Sequence, residues 1–303
     1  MRLPDRNYDK SMMKAVFDNY RNLVGVCCFS LLFCSGFFMY RNVGLYFNLS
    51  GFLIVIGGTF AAAFVSFKAE RLKIVCQVLK SSYRAREIEP SEIVETLVDL
   101  SLKSRFRGLL SLQEDEQEAT VMFLRQALGY LVDGYDIRQI RDFLTTEINF
   151  FRIRREESEH VLRTIAEICP SFGLIGSVVG LMSMLAGIGD TSVILATIPV
   201  ALTSTLYGVL FANFIFGPFA AHIQERTDRE VLLQRIILEG VIAIGSNLHP
   251  RALERKLKSF LTPSDRAEKI VSLERIREKF KVSDSRLFQP GEEAARQLSS
   301  ASK

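Results

Sequence analysis

Four stretches of this chain contain no Asp, Glu, Lys or Arg: residues 22–40, 42–67, 168–189 and 191–224, which are 19, 26, 22 and 34 residues long. A helix needs about 20 apolar residues to cross ~30 Å of hydrocarbon. The averages, 48% hydrophobic and 24% charged, resemble those of an ordinary globular domain, but a single soluble core is not built with its charges gathered in blocks. The blocks predict an all-α integral membrane protein. Its four transmembrane helices are expected at 22–40, 43–67, 168–189 and 193–221, with a large helical cytoplasmic loop and a helical C-terminal extension.

The placement of Lys and Arg orients these spans. Residues 1–21 carry Arg2, Arg6, Lys10, Lys14 and Arg21, and the segment after the second run carries Lys68, Arg71, Lys73, Lys80, Arg84 and Arg86. The link between the first two runs has Arg41 alone, and the link between the last two has no Lys or Arg. By the positive-inside rule both termini and the middle loop are cytoplasmic, and only two short links face outward. This placement also argues against reading the net charge of +4 as a nucleic-acid signal. The first run ends at Tyr40-Arg41 without a small-residue cleavage pattern, so it reads as a retained span rather than a signal peptide. None of the five cysteines has an oxidising compartment or a metal-ligand spacing around it, and all five read as packing residues.

The loop, residues 68–167, reads as helical. One segment follows Pro90 with Ile93, Val94, Leu97, Val98 and Leu100, and a second covers about 119–132. A third begins near Asp136, places Ile137, Ile140, Phe143, Leu144, Ile148 and Phe151 at helical spacing, and continues into the third span. After the fourth span a helical extension covers 222–261, and residues 262–303 form a polar tail that reads as partly disordered.

An ionisable residue inside a span usually marks a transport path. These spans hold none except His222 at the inner end of the fourth. If ions cross beside this chain, a partner must supply the titrating carboxylate. Small and hydroxyl residues do form faces at helical spacing: Gly173, Ser177, Gly180 and Met184 in the third span, and Ala201, Thr205, Gly208 and Ala212 in the fourth. Such faces admit another helix closely, either for packing alone or with hydroxyls turned to an ion path. Pro170 and Pro218 remove backbone donors near the cytoplasmic ends of these spans and suggest a hinge. No nucleophile–base pair, metal cluster or phosphate loop points to an enzyme or a cofactor.

The run Pro170-Ser171-Phe172-Gly173-Leu174-Ile175-Gly176-Ser177 resembles the third-span signature of the MotA/PomA family of flagellar stator subunits. So does Val200-Ala201-Leu202-Thr203-Ser204-Thr205-Leu206-Tyr207-Gly208, followed by Asn213 and Pro218. Supporting matches are Leu53-Ile54-Val55-Ile56-Gly57-Gly58-Thr59, Ser104-Arg105 with Gly108-Leu109-Leu110-Ser111-Leu112, and Pro250-Arg251 with Glu254, Lys256-Leu257 and Phe260-Leu261, in family order over about 40–265.

The resemblance implies a homopentamer in the bacterial inner membrane around a dimer of a MotB/PomB-like single-span partner, whose aspartate carries the ion. Ion flow would drive rotation of the ring while the cytoplasmic loop pushes on the flagellar rotor. It makes Pro170 and Pro218 the functional prolines and Gly173, Ser177, Gly180, Ala201, Thr205 and Gly208 the faces along the ion path and partner. Arg105 matches the basic rotor contact. The loop glutamate of the family is Gln113 here, with Glu114 one residue later. Sodium-driven relatives typically have threonine at the Ser177 and Thr205 positions, so the ion is expected to be H+, with Na+ as the alternative. Rival readings are a TolQ/ExbB-like energiser, which usually has three spans, another specialised motor subunit, and a membrane scaffold without ion flux.

Overall fold

The computed structural model describes residues 24–25, 28–33, 35–36, 39, 46–84, 88–119 and 121–261. The N-terminal segment 1–21, eight residues of the expected first span and the tail 262–303 lie outside the described residues. Those described within 24–36 are helical. In chain order the helices are α1 (Leu49–Ser66), α2 (Ala69–Arg84), α3 (Pro90–Arg107), a 3-10 turn (Leu109–Leu112), α4 (Gln113–Glu118), α5 (Met122–Val132), α6 (Ile137–Ala186) and α7 (Thr191–Phe211). A π-helical segment (Ala212–Phe216) joins α7 to α8 (Gly217–Gly245), and α9 (Pro250–Lys258) follows. Three of the described helices, α1, α6 and the continuous run 191–245, are long and apolar enough to cross a membrane.

The ends of the membrane-length helices follow local chemistry more than the ends of the charge-free runs. The second run was expected to span 43–67, yet α1 begins at Leu49, because the Asn48 side chain accepts the Gly51 N–H at 3.0 Å and caps the first turn. It stops where Phe67 turns extended. Likewise Asp190 caps α7 by accepting from Ser192 N–H at 2.8 Å, so the fourth helix starts two residues before the expected 193.

The described residues form two compact units, one within 1–69 and 162–218 and the other within 70–161 and 219–261. The first unit packs α1, the C-terminal part of α6, and α7. Val55, Cys169 and Ala212 form its buried apolar centre, with Tyr207, Phe211 and Phe216 against them.

The second unit has the larger core. Ile93, Leu97 and Leu100 of α3, Leu128 and Leu131 of α5, Ile140 and Leu144 of α6, Ile236, Ile237 and Val241 of α8, and Leu253 and Leu257 of α9 make one buried cluster. The loop and the C-terminal extension, separate in the sequence reading, share this core. Each helix has one apolar stripe that it cannot bury alone, and Gly240 lets α3 close in: a Cβ there would lie 2.6 Å from the Leu97 side chain. Gly108, at φ +84°, ends α3 in a conformation that costs other residues strain, and turns the chain into the 3-10 segment.

Candidate functional site

In the first unit, α6 and α7 meet along a seam of small residues. A Cβ at Gly173 would lie 3.0 Å from the Ser204 carbonyl oxygen and 3.3 Å from Gly208 Cα. One at Gly180 would lie 2.8 Å from the Ala201 nitrogen, and one at Gly208 would lie 2.9 Å from the Cys169 carbonyl oxygen and 3.1 Å from Pro170 Cα. The two faces read from the sequence therefore oppose each other within one chain. Gly173, Gly180, Ala201 and Gly208 are buried there, while Ser177 and Thr205 are half-buried.

The two hydroxyls meet in this seam. Ser177 Oγ and Thr205 Oγ1 are hydrogen-bonded to each other, and the Ser177 hydroxyl also reaches the Ala201 carbonyl at 2.6 Å. With one proton per hydroxyl, the consistent arrangement has Thr205 donating to Ser177 and Ser177 donating to the Ala201 carbonyl. Each oxygen keeps lone pairs that a cation or an ordered water could use, in a stretch with no carboxylate.

Pro170 lies inside α6 and is half-buried against Gly208. Pro218 is exposed and is the second residue of α8, directly after the π-helical segment. There the Gly217 N–H bonds back to the Ala212 carbonyl five residues earlier. Proline offers no N–H to the Phe214 carbonyl, which an α-turn would require, and the helix widens by one residue. In α1, Gly58 sits under the Phe172 ring, at 2.2 Å from an added Cβ, whereas Gly57 faces open space.

Sequence reasoning did not single out two positions that hold α1 in place. Ser204, fully buried, fits between Gly51 and Gly176, at 2.7 Å from an added Cβ on either. The Tyr207 hydroxyl donates to the Tyr46 carbonyl at 2.5 Å and accepts the Asn48 N–H at 2.8 Å. A tyrosine hydroxyl in an apolar run needs such partners, and that was the available signal.

The loop residues sit in the second unit. Gln113 and Glu114 open α4 and line a cavity of ≈ 390 Å³ with Lys103, Arg107, Leu110, Ser111 and Gln117. Lys103 binds Asp115 at 2.6 Å and Glu114 at 3.5 Å, and the Asp115 hydrogen bond holds its proton more tightly than an ordinary lysine does. Arg105 is exposed in the last turn of α3 and does not line this cavity. It lies instead within electrostatic range of His249, the cap of α9.

Membrane-length helices around a hydroxyl-bearing seam, joined to a charged helical unit, define a multi-pass helical membrane protein. The profile of the MotA/TolQ/ExbB proton channel family matches residues 115–235. The chain is 32% identical to Motility protein A of Borreliella burgdorferi over 79% of its own length and 92% of that protein. It is 30% identical to chemotaxis protein PomA of Vibrio alginolyticus, over 76% of this chain and 90% of PomA. The structure of MotAB from C. jejuni superposes with a TM-score of 0.74 at 26% identity, covering 81% of this chain and 96% of that one. The chain belongs to the MotA/PomA family, within the MotA/TolQ/ExbB proton channel proteins.

Proposed function

We propose that this chain is the ring-forming subunit of an ion-driven stator unit that generates torque on the flagellar rotor. In this reading five copies surround a dimer of a MotB-like single-span partner in the bacterial inner membrane, and the partner's aspartate carries H+, with Na+ as the alternative. The observation that carries it is the joined Ser177 and Thr205 hydroxyl pair on membrane-length helices that hold no carboxylate of their own. A path offering lone pairs but no titrating acid is half of a relay, and a partner's aspartate completes it.

The remaining assignments follow from this reading. Residues 22–40, 43–67, 168–189 and 193–221 are the four spans. Residues 1–21, 68–167 and 222–261 are cytoplasmic, as is the polar tail 262–303. Gly173, Gly180, Ala201 and Gly208 hold the two path-lining helices together, so that Ser177 and Thr205 keep their register. Pro170 and Pro218 are the points at which the inner ends of these helices yield, and the π segment before Pro218 supports that role. Arg105, Gln113 and Glu114 belong to the rotor-facing unit.

A TolQ/ExbB-like energiser is the second reading, since the matching family profile includes those proteins. Purification of the chain from its native membrane, with co-purifying single-span proteins identified by mass spectrometry, separates the two. A partner with one intramembrane aspartate and a large peptidoglycan-binding domain is expected. A short-tailed partner would overturn the stator reading in favour of the energiser, and recovery of the chain alone would overturn both. In vesicles holding the complex, Thr205→Val is expected to reduce ion flux without preventing assembly, because Ser177 keeps its bond to the Ala201 carbonyl; unaltered flux would remove the hydroxyl pair from the path.

A further inference from the structure

The second unit buries one face of α6 in its core and leaves an apolar stripe on the other. Phe143, Phe150 and Ile153 follow one another at helical spacing, hence on one face, and each is between 42% and 56% exposed. Tyr135 extends the stripe, with its ring 6.0 Å from that of Phe143. Hydrocarbon is not its cover: along the continuous α6, seven charged side chains stand between Ile153 and the charge-free run that begins at 168. Outside a membrane, an exposed apolar row marks a docking face. One acid sits beside it. Glu147 lies between Phe143 and Phe150, partly buried, and among the described residues its carboxylate makes no ion pair or hydrogen bond. Partial desolvation raises its proton affinity above that of an ordinary glutamate. Whatever covers this face must therefore bring apolar side chains together with a cation.

The chain itself carries such a segment. Leu261, the last described residue, is buried in the cluster that Ile140, Leu144 and Ile148 of α6 also enter, and residues 262–303 follow it. Among them Ile270, Leu273, Ile276 and Phe280 recur at helical spacing, with Arg277 between the last two. The row from Ile270 to Phe280 has the same sequence length as the row from Phe143 to Ile153. Set antiparallel, Phe280 meets Phe143, Leu273 meets Phe150, Ile270 meets Ile153, and Arg277 falls beside Glu147. Residues 262–269 reach up to about 26 Å when extended, more than twice the width of a helix, about 10–12 Å. That reach suffices to pass from the core to the exposed face of α6.

We infer that residues 270–280 dock antiparallel on the Phe143–Phe150–Ile153 face of α6 in the same chain, covering the apolar row and pairing Arg277 with Glu147. Laying an apolar helical row into an apolar face is a recurrent mode of recognition, and the forked guanidinium suits a partly desolvated carboxylate. The same face of a second copy, by contrast, brings another acid where a cation is needed. The inference goes beyond the stator reading and depends on neither its ion nor its client.

The test uses the full chain in its native membrane. Thr146→Cys places a thiol within the stripe, three residues after Phe143 and four before Phe150, and removes none of its apolar side chains. Above the background of the parent's own cysteines, this thiol is expected to react with a polar maleimide several-fold more slowly in the full chain than in a chain ended at Leu261. Adding Glu147→Lys to the full chain is expected to restore fast labelling, and adding Arg277→Glu as well is expected to slow it again, a reversal that unfolding cannot produce. Phe150→Cys with Leu273→Cys is expected to form, under mild oxidation, a disulfide that mass spectrometry finds within one chain. Equal labelling of the full and shortened chains, protection that survives the shortening, or a disulfide that is absent or found only between chains overturns the docking. Each of those results leaves the stator reading standing, because that reading is decided by the recovered single-span partner and by ion flux.

Discussion

Gly208 and Gly57 show what a glycine in a membrane helix is worth. An added Cβ at Gly208 meets two Cα atoms and a carbonyl oxygen, none of which can swing aside, whereas one at Gly57 meets nothing within 4 Å. Overpacking of this kind costs about 1–3 kcal/mol. Gly208→Ala is therefore expected to lower the melting temperature of the detergent-solubilised chain, and Gly57→Ala to leave it unchanged. The sequence displayed both glycines equally. It also displayed the Gly176-x-x-x-Gly180 spacing, but spacing marks a close approach without saying which helix approaches, so the packing of α6 on this chain's own α7 was one of two open readings.

His249 makes the second argument at this scale. Partial desolvation of its exposed side chain, with Arg105 and Arg251 nearby, pushes its proton affinity below the ordinary 6.5. Its folded form therefore binds a proton less readily than the unfolded chain does. The stabilisation is complete above pH 6.5 and is lost as pH falls through the depressed folded value. Protonation also occupies the Nδ1 lone pair that caps α9. Hydrogen exchange of the 249–258 segment, corrected for intrinsic rates, is expected to rise on acidification. In His249→Asn, whose cap does not titrate, that rise should shrink to the background of the remaining groups. An unchanged pH dependence in the variant would disconnect the cap from the titration.

Among the elements, the run from α7 through the π segment to α8 argues most about function. The charge-free run of 191–224 fixed its membrane character, and Pro218 pointed to a weak place in it, but the form of that weakness was not legible. A missing N–H can kink a helix, break it or widen it, and the choice depends on how neighbours on both sides are already packed. Ala212 is buried on the α7 side of the segment, and Ala220 and Ile223 are buried in α8. Pro218→Ala supplies the donor for an α-turn to the Phe214 carbonyl and removes the reason for the extra residue. The variant is expected to assemble with its partner and to conduct several-fold less, about a 1 kcal/mol effect on the path. Flux equal to the parent would dissociate the π segment from ion movement.

The short helix α4 depends on one cation. Lys103, 16% exposed along its side chain, holds Asp115 at 2.6 Å and Glu114 at 3.5 Å. Its Met variant leaves Asp115, about a third exposed, without its cation, at a cost of about 1–3 kcal/mol. Exchange across 113–118 is expected to accelerate in Lys103→Met, with the rest of the core protected as before. The Gln113 position drew attention in the sequence because a carboxylate was expected there. The lysine that organises the carboxylates beside it stood ten residues away in another helix, and only the fold brings them together.

At the scale of the whole chain, the charge-free runs 42–67, 168–189 and 191–224 each contain part of a helix long and apolar enough to cross a membrane among the described residues, while the polar segments between and after them share a core that the block pattern does not display. Residues 68–167 and 222–261 read as a loop and an extension, and apolar stripes from both build one core in which Leu97 lies on the backbone of Gly240. Hydrophobic periodicity tells that a helix has a buried face and is silent on which distant helix receives it. A unit with its own core can lose stability while the other keeps its packing, and this gives the division into units an experimental meaning. Leu97→Ala removes a fully buried side chain whose neighbour is a glycine with nothing to fill the gap, at a cost of about 2–5 kcal/mol. The seam that holds Ser177 against Thr205 belongs to the other unit. Limited proteolysis of the Leu97→Ala complex is therefore expected to cut within 88–132 well before the parent is cut, and rotation to fail at lower temperature, while ion flux and recovery of the single-span partner persist. Flux that fell in step with proteolysis would mean that the two cores unfold as one, and that the ion path takes its order from the same packing that shapes the rotor-facing surface.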